Sequence, residues 1–197
     1  MRFAVTAGRK GSADLLTAAK EWATLFDVPL LERASKGSLE ELRQQNNLDA
    51  ILVATADGPQ IYNNEGTFFY HPGMAVLRLQ RLKNNEHDHF AKALELGEGM
   101  RVLDGTLGLA GDAAIASYLV GEKGKVVGVE ASLLLHFVVE KGLRSYEAED
   151  PYLTEALRRI TTVQATAEEY LETCQADSFD VVYFDPMFRY PVQGSSA

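Results

Sequence analysis

From Gly99 onward the sequence repeats strand, loop and helix, and that rhythm leaves the chain few architectures. Residues 100–103 read as a strand, GTLGLAG as a glycine-rich loop, and residues 112–120 as a helix stopped by Gly121. Residues 125–129 form the next strand, and Ser132 caps a largely apolar helix running to about Tyr146. Asp150 and Pro151, a cap followed by proline at the first helical position, open another helix ending near Arg159. A third strand at 160–164, a helix at 166–174 and a fourth strand at 179–184 complete the series. Successive β-α-β units return the chain in the same direction, so these strands are expected to be parallel with right-handed crossovers. In such sheets ligands bind beyond the carboxyl ends of the strands.

The first ~90 residues alternate short strands with amphipathic helices at the length of a small companion unit. Strands are predicted at 2–6, 28–31 and 50–55, and a hairpin pair at 60–62 and 67–70 flanks Asn63-Asn64-Glu65-Gly66. Ser12 caps a helix to Phe26, with Leu15, Ala19, Trp22 and Phe26 at helical spacing. Ser38 with Glu41 forms a capping box for a helix to about Asn46. Pro72 opens a helix through Met74, Leu77 and Leu82, and the polar run NNEHDH (84–89) is the candidate junction. The expected organisation is therefore a small N-terminal α/β unit over 1–90 and a ligand-binding unit over 91–197.

Composition narrows the functional classes. At 46% hydrophobic and 24% charged residues the chain reads as an ordinary globular protein, and no apolar run nears the ~20 residues that span a bilayer. The single cysteine, Cys174, leaves no partner for an internal disulfide, so a cytoplasmic location without membrane contact is expected. The net charge of −9 opposes charge-driven nucleic-acid binding over the whole surface. Residues 71–92 are locally basic, with Arg78, Arg81, Lys83 and Lys92 against Glu86 and Asp88. Arg78 and Arg81 are candidates for RNA phosphate or a cofactor carboxylate, with plain solvation as the alternative. His71, His87, His89 and Asp88 offer metal-ligand chemistry, but no further ligands accompany them and no metal site is expected.

Chemistry concentrates at the strand ends. The first strand of the series ends in Asp104 and enters a loop holding Gly105, Gly108 and Gly111. The glycines do not follow the G-x-G-x-x-G spacing of a dinucleotide loop, and a strand-end acid repels pyrophosphate. The acid suits a cationic ligand instead, such as one with an amino group and a sulfonium. The second strand ends in Glu130, which can accept hydrogen bonds from two ribose hydroxyls, and the fourth ends in Asp185. One such acid is weak evidence; three around one glycine loop are hard to assign to chance.

The runs V-L-D-x-T-x-G-L, V-x-G-V-E and D-V-V-Y-F-D-P-M-F resemble class I S-adenosylmethionine (SAM)-dependent methyltransferases. More narrowly, D-x-T-x-G-L-x-x-D-A and D-P-M-F resemble the RsmJ-like group, which includes the bacterial small-subunit rRNA guanine-N2 methyltransferase. The resemblance covers about residues 99–191, and FFYHPGMAVLRLQRL resembles the Gram-positive branch of that group. It implies a Rossmann-like sheet and SAM as cofactor. Asp104 would organise the loop and approach the methionine amino group. Gly105, Thr106 and Gly108 would let the backbone pass beneath the methionyl part, and Asp112 would hold the loop. Glu130 would take the ribose hydroxyls and Ala131 would pack against adenine. The family's frequent adenine-reading acid after the third strand is absent, and Thr166 offers only a hydroxyl there. Ala110 stands where many members have glycine.

The resemblance also gives D-P-M-F a chemical reading. Asp185 and the Pro186 carbonyl would accept hydrogen bonds from an exocyclic NH₂ and turn its lone pair toward the methyl group. Phe188 would stack on the extruded base, a contact worth roughly 1–3 kcal/mol. Taken alone, the tetrapeptide reads equally as a strand-ending turn with Phe188 in the core. The expected function is N-methylation of an RNA base amine, rRNA or a ribosomal subunit being the partner. A protein or small-molecule methyltransferase and a non-catalytic SAM-binding module are the alternatives. The superfamily sheet has further strands, so ~50–60 family-typical residues are expected beyond VQGSSA, since a bare fourth strand would be an aggregation-prone edge. The sequence bears on neither the target base nor the oligomeric state.

Overall fold

The computed structural model describes residues 1–9, 12–33 and 37–185. Pro186 and Phe188 therefore lie outside the described residues. The N-terminal half comprises β1 (Phe3–Ala7), α1 (Ala13–Leu25), α2 (Leu39–Gln45), β2 (Ala50–Thr55), β3 (Gly58–Asn63) and β4 (Gly66–Phe69). Its strands lie side by side in chain order, with β1 parallel to β2 and the β2–β3 and β3–β4 pairs antiparallel. The predicted capping box is present: Ser38 Oγ accepts from Glu41 N–H and Glu41 accepts from Ser38 N–H. The predicted strand at 28–31 is reduced to one parallel bridge between Leu30 and Val5. Pro29 has no N–H to donate, so a ladder cannot run through it.

Two short helices, α3 (Ala75–Lys83) and α4 (His89–Ala93), lead into the second half. Helix α3 starts one turn after Pro72, whose carbonyl accepts from Ala75 N–H at 3.0 Å. Asp88 caps α4 by accepting from Ala91 N–H at 3.0 Å. There follow β5 (Arg101–Asp104), α5 (Gly111–Val120), β6 (Lys125–Glu130), α6 (Leu133–Ser145), α7 (Pro151–Arg159), β7 (Thr161–Gln164), α8 (Ala167–Glu172) and β8 (Val181–Tyr183). All pairs in this second sheet are parallel and the order is β7-β6-β5-β8, as the β-α-β rhythm requires. Arg101 fastens the start of β8 through its N–H and guanidinium, both bonded to Asp180, whose carboxyl these bonds hold down at about 2.

Helix α6 joins the two halves. Its sequence LLLHFVVEKGLRS is apolar on two faces because each face meets a different core. Leu134, Phe137 and Val138 pack with Phe3, Val5 and Leu52 of the first sheet. Val139 and Leu143 pack instead with Val102, Val126, Leu153 and Leu157 around the second. Phe137 takes the edges of Trp22 and Phe26 at centroid distances of 5.2 and 5.0 Å. Helix α5 buries Ala113, Ala114, Ala116 and Ser117, small side chains that bring the helix axis close to the sheet. Helix α3 adds Ala75 and Leu79 to the same core.

At Gly142 the ring of Tyr70 lies where a Cβ would stand. Gly142→Ala should gain about 1 kcal/mol of helix propensity. Overpacking against Tyr70 should cost about 1–3 kcal/mol and decide the sign. A lower urea midpoint is expected; a higher one would show that the Tyr70 contact is slack.

Candidate functional site

The order β7-β6-β5-β8 reverses direction at β5, because β6 and β7 lie to one side and β8 to the other. In open α/β sheets the crevice at such a reversal, outside the carboxyl ends of the strands, is the usual ligand position. Asp104 ends β5, Glu130 ends β6, and Asp185 follows β8 by two residues.

The loop after β5 is held from several sides. Asp104 Oδ1 accepts from Thr106 N–H at 3.0 Å, a tight turn closed by the acid's own side chain. Leu107, 3% exposed, covers Gly128 of β6, where its side chain fills the place a Cβ would take. Gly108 has φ +49° and donates its N–H to Glu130 Oε2 at 3.3 Å. Ser132 N–H donates to Glu130 Oε1 at 2.8 Å, so both carboxylate oxygens are oriented by backbone while lone pairs remain open. Ala110, fully buried, adopts the left-handed conformation at φ +60° as it leads into α5. That left-handed conformation costs alanine roughly 1 kcal/mol, a cost glycine would not meet.

The acceptor side is tied to this loop. Asp185 N–H donates to Thr106 Oγ1 at 2.7 Å, and Gly105 N–H donates to the Tyr183 carbonyl at 2.9 Å. The Phe184 ring lies flush on Gly105, where any Cβ would collide with it. Asp112, in the first turn of α5, accepts from Arg78 Nη1 at 2.5 Å and from the Tyr183 hydroxyl at 3.1 Å. Arg78 also forks onto Asp88, at 2.7 and 3.0 Å. Phe90 meets Tyr183 edge-on at 4.8 Å and lies beneath the Arg78 guanidinium at 5.3 Å.

These positions set the electrostatics. Asp104 is 3% exposed, and its carboxyl is pushed up to about 6. Burial is the main cause, with Asp112 and Asp185 adding repulsion and the Thr106 N–H opposing it. The Tyr183 hydroxyl is raised as well, by burial first and then by Asp112. The crevice is thus rich in acceptors and negative charge. That set of acceptors fits a ligand carrying an ammonium, a sulfonium and a ribose diol, and it opposes a pyrophosphate.

The remaining sequence-predicted residues fall as follows. Ala131 is exposed beyond β6, and its carbonyl accepts from Gln164 Nε2 at 3.0 Å. Thr166 caps α8 in a capping box with Glu169, so its oxygen already accepts the Glu169 N–H at 3.2 Å. Arg78 faces two carboxylates, and Lys83 pairs with Asp150 at 2.6 Å. Much of the basic stretch at 71–92 is therefore neutralised within the protein. Among the described residues, no group of three or more His, Cys, Asp or Glu side chains is placed to hold a metal ion. None of the described helices is long and apolar enough to cross a membrane. The Arg78–Asp112–Tyr183 cluster escaped sequence reading, since its members stand 34 and 71 positions apart.

Residues 41–197 match the protein-family model described as "Putative SAM-dependent methyltransferase". The chain is 36% identical over 192 residues to "Uncharacterized protein YpiP" of Bacillus subtilis, covering 97% of this chain and 74% of that protein. It is 33% identical over 178 residues to "Ribosomal RNA small subunit methyltransferase J" of Acinetobacter baylyi, covering 86% of this chain and 64% of the relative. Among solved structures it resembles a SAM-dependent methyltransferase from Neisseria gonorrhoeae with a TM-score of 0.61 at 18% identity, covering 93% of this chain and 69% of that one.

Because Asp104 ionises near 6, above the ordinary value near 3.9, the native state holds its proton more tightly than the unfolded chain does. Stability contributed by this group is therefore highest below pH ~4 and falls as pH rises toward ~6. Asp104→Asn should raise stability at pH 7.5 by on the order of 2 kcal/mol and leave it nearly unchanged at pH 4, read from urea unfolding at both pH values. Equal stability of the two proteins at pH 7.5 would refute a burial-strained carboxylate.

Proposed function

The chain belongs to the family of SAM-dependent methyltransferases, and on that premise we propose that it methylates an exocyclic base amine of RNA. Guanine N2 of small-subunit ribosomal RNA, in the cytoplasm, is the favoured target. Support comes from relatives of 30–33% identity named ribosomal RNA small subunit methyltransferase J. The observation that carries the proposal is the Asp185 N–H bond to Thr106 Oγ1 at 2.7 Å. This bond from the backbone of Asp185 brings the end of β8 against the loop that follows Asp104, which supports reading the two as the acceptor and cofactor sides of one site.

SAM, when bound, supplies a methyl group on a sulfonium. Asp104 would accept a hydrogen bond from the ligand's ammonium, and the backbone of Gly105, Thr106 and Gly108 would form the floor. Asp112 holds the end of that loop, and Glu130 takes the ribose hydroxyls with its open lone pairs. Ala131 and Thr166 line the adenine side. Asp185 would accept a hydrogen bond from the base NH₂, localise the nitrogen lone pair and take the proton that nitrogen sheds as the methyl passes to it from the sulfonium, whose C–S bond breaks to leave a neutral thioether. Pro186 and Phe188 keep the roles their motif implies, a second acceptor for the NH₂ and a stacking surface for the base. Alignment of amine and methyl is the main source of acceleration, because effective molarities of ~10⁵ M and above reward fixed geometry.

The net charge of −9 favours a second reading, in which the acceptor amine belongs to a protein or small molecule. Labelled methyl transfer separates the two, with small ribosomal subunits, naked rRNA and a protein fraction as acceptors. Label in rRNA is expected; label confined to protein or small molecules would overturn the RNA assignment. Glu130→Ala should weaken S-adenosylhomocysteine binding about 10–100-fold, the loss of hydrogen bonds to a charged acceptor. Asp185→Ala should leave that affinity within a few-fold and lower kcat by about 10²-fold or more. If Glu130→Ala binds as tightly as the parent protein, the ribose assignment is wrong.

A further inference from the structure

Arg78, a candidate for an RNA phosphate or a cofactor carboxylate by sequence, instead bonds to two of the protein's own carboxylates, one of them at the head of α5. It leaves α3, forks onto Asp88 at the cap of α4, and reaches Asp112 in the first turn of α5 at 2.5 Å. Asp112 in turn accepts from the Tyr183 hydroxyl of β8 at 3.1 Å. Phe90 of α4 closes the figure, with its face toward Arg78 and its edge-on partner Tyr183. Arg78 is therefore connected to the helix that ends the cofactor loop and to the strand that presents Asp185.

We propose that Arg78 is a positioning residue for methyl transfer: through Asp112 it sets the head of α5, and through Asp112 and the Tyr183 hydroxyl it sets the acceptor strand β8. The inference rests on the assignment of the crevice to SAM made above. Two observations favour positioning over simple bracing. The guanidinium is spread over two carboxylates from two elements, an arrangement that a planar fork of donors fixes in direction as well as distance. It also counters local charge. Among the described residues, the titratable groups facing this cluster are Asp104 of β5, Asp112 of α5, Tyr183 and Asp185 on the β8 side, and Asp88 before α4. Arg78 offsets two of those four carboxylates and so limits repulsion on Asp104, the group that must be ionised to hold an ammonium.

The test measures S-adenosylhomocysteine binding by calorimetry from pH 5 to 8.5, with kcat for methyl transfer to small ribosomal subunits, in the complete protein. Arg78→Met should weaken binding at pH 7 about tenfold and move the pH midpoint of binding upward by about half a unit or more, because Asp112 then repels Asp104 uncompensated. Arg78→Lys, which keeps charge but loses the fork, should restore the midpoint while kcat stays several-fold low. Tyr183→Phe removes only the link to β8 and guards against an unfolded Arg78→Met. Its affinity should stay within about twofold while kcat falls about tenfold. A lowered melting temperature with an unchanged midpoint in Arg78→Met would reduce Arg78 to a brace and overturn the proposal, as would unchanged kcat in Tyr183→Phe. Absence of S-adenosylhomocysteine binding by the parent protein at every pH would instead remove the site assignment beneath it.

Discussion

The double-faced burial of α6 is the constraint on which the rest depends. A helix with one apolar stripe joins one core; α6 carries two, and each is filled from a different sheet. Phe137 alone buries its ring among Trp22, Phe26 and the first sheet, a contribution of about 2–3 kcal/mol by area. Val139 and Leu143 make the matching contribution toward the second sheet. Neither sheet can shift without exposing one of these faces. Because α6 begins three residues after Glu130 and its cap residue Ser132 donates its N–H to that carboxylate, the same packing also orients Glu130.

Within that frame the crevice is an electrostatic compromise. Removing Asp104 from water disfavours its charge, and the neighbouring Asp112 and Asp185 disfavour it further. A single backbone N–H and the threonine hydroxyl at 3.5 Å offset only part of this. A carboxylate so placed lowers the stability of the empty protein and gains most from a cationic ligand. The opposite treatment is seen at Asp180, exposed and held down by Arg101, which serves only to start β8. Two strand-flanking aspartates in one sheet thus differ in burial and partner, and their carboxyls shift in opposite directions.

Much of this was legible from local pattern. The strand-loop-helix rhythm after Gly99 dictated a parallel sheet, and it placed Asp104, Glu130 and Asp185 at the carboxyl ends of their strands, where the structure has them. Capping at Ser12, Ser38, Ser132 and Asp150 was also readable, because a cap and its partner lie within three residues. The strand at 28–31 was misread because β-branched and aliphatic residues outweighed Pro29, whose missing N–H leaves a lone bridge. Long-range partners left no local trace: nothing in the sequence pairs Arg78 with Asp112, or lays Leu107 over Gly128 and Tyr70 over Gly142. Thr166 was legible as neither cap nor contact alone: its hydroxyl oxygen accepts the Glu169 N–H as a helix cap while its O–H is left to donate.

The seat of Leu107 over Gly128 has a consequence for the entropy of ligand capture. A glycine-rich loop ordinarily samples many conformations, and fixing each residue costs roughly 1–2 kcal/mol in backbone entropy. With Leu107 lodged in the sheet and its N–H on the Val129 carbonyl at 3.0 Å, that ordering is completed during folding. The loop greets its ligand already shaped. Its shape is set by the sheet beneath it, so the entropy of ordering these residues is charged to folding and not to whatever the loop later holds.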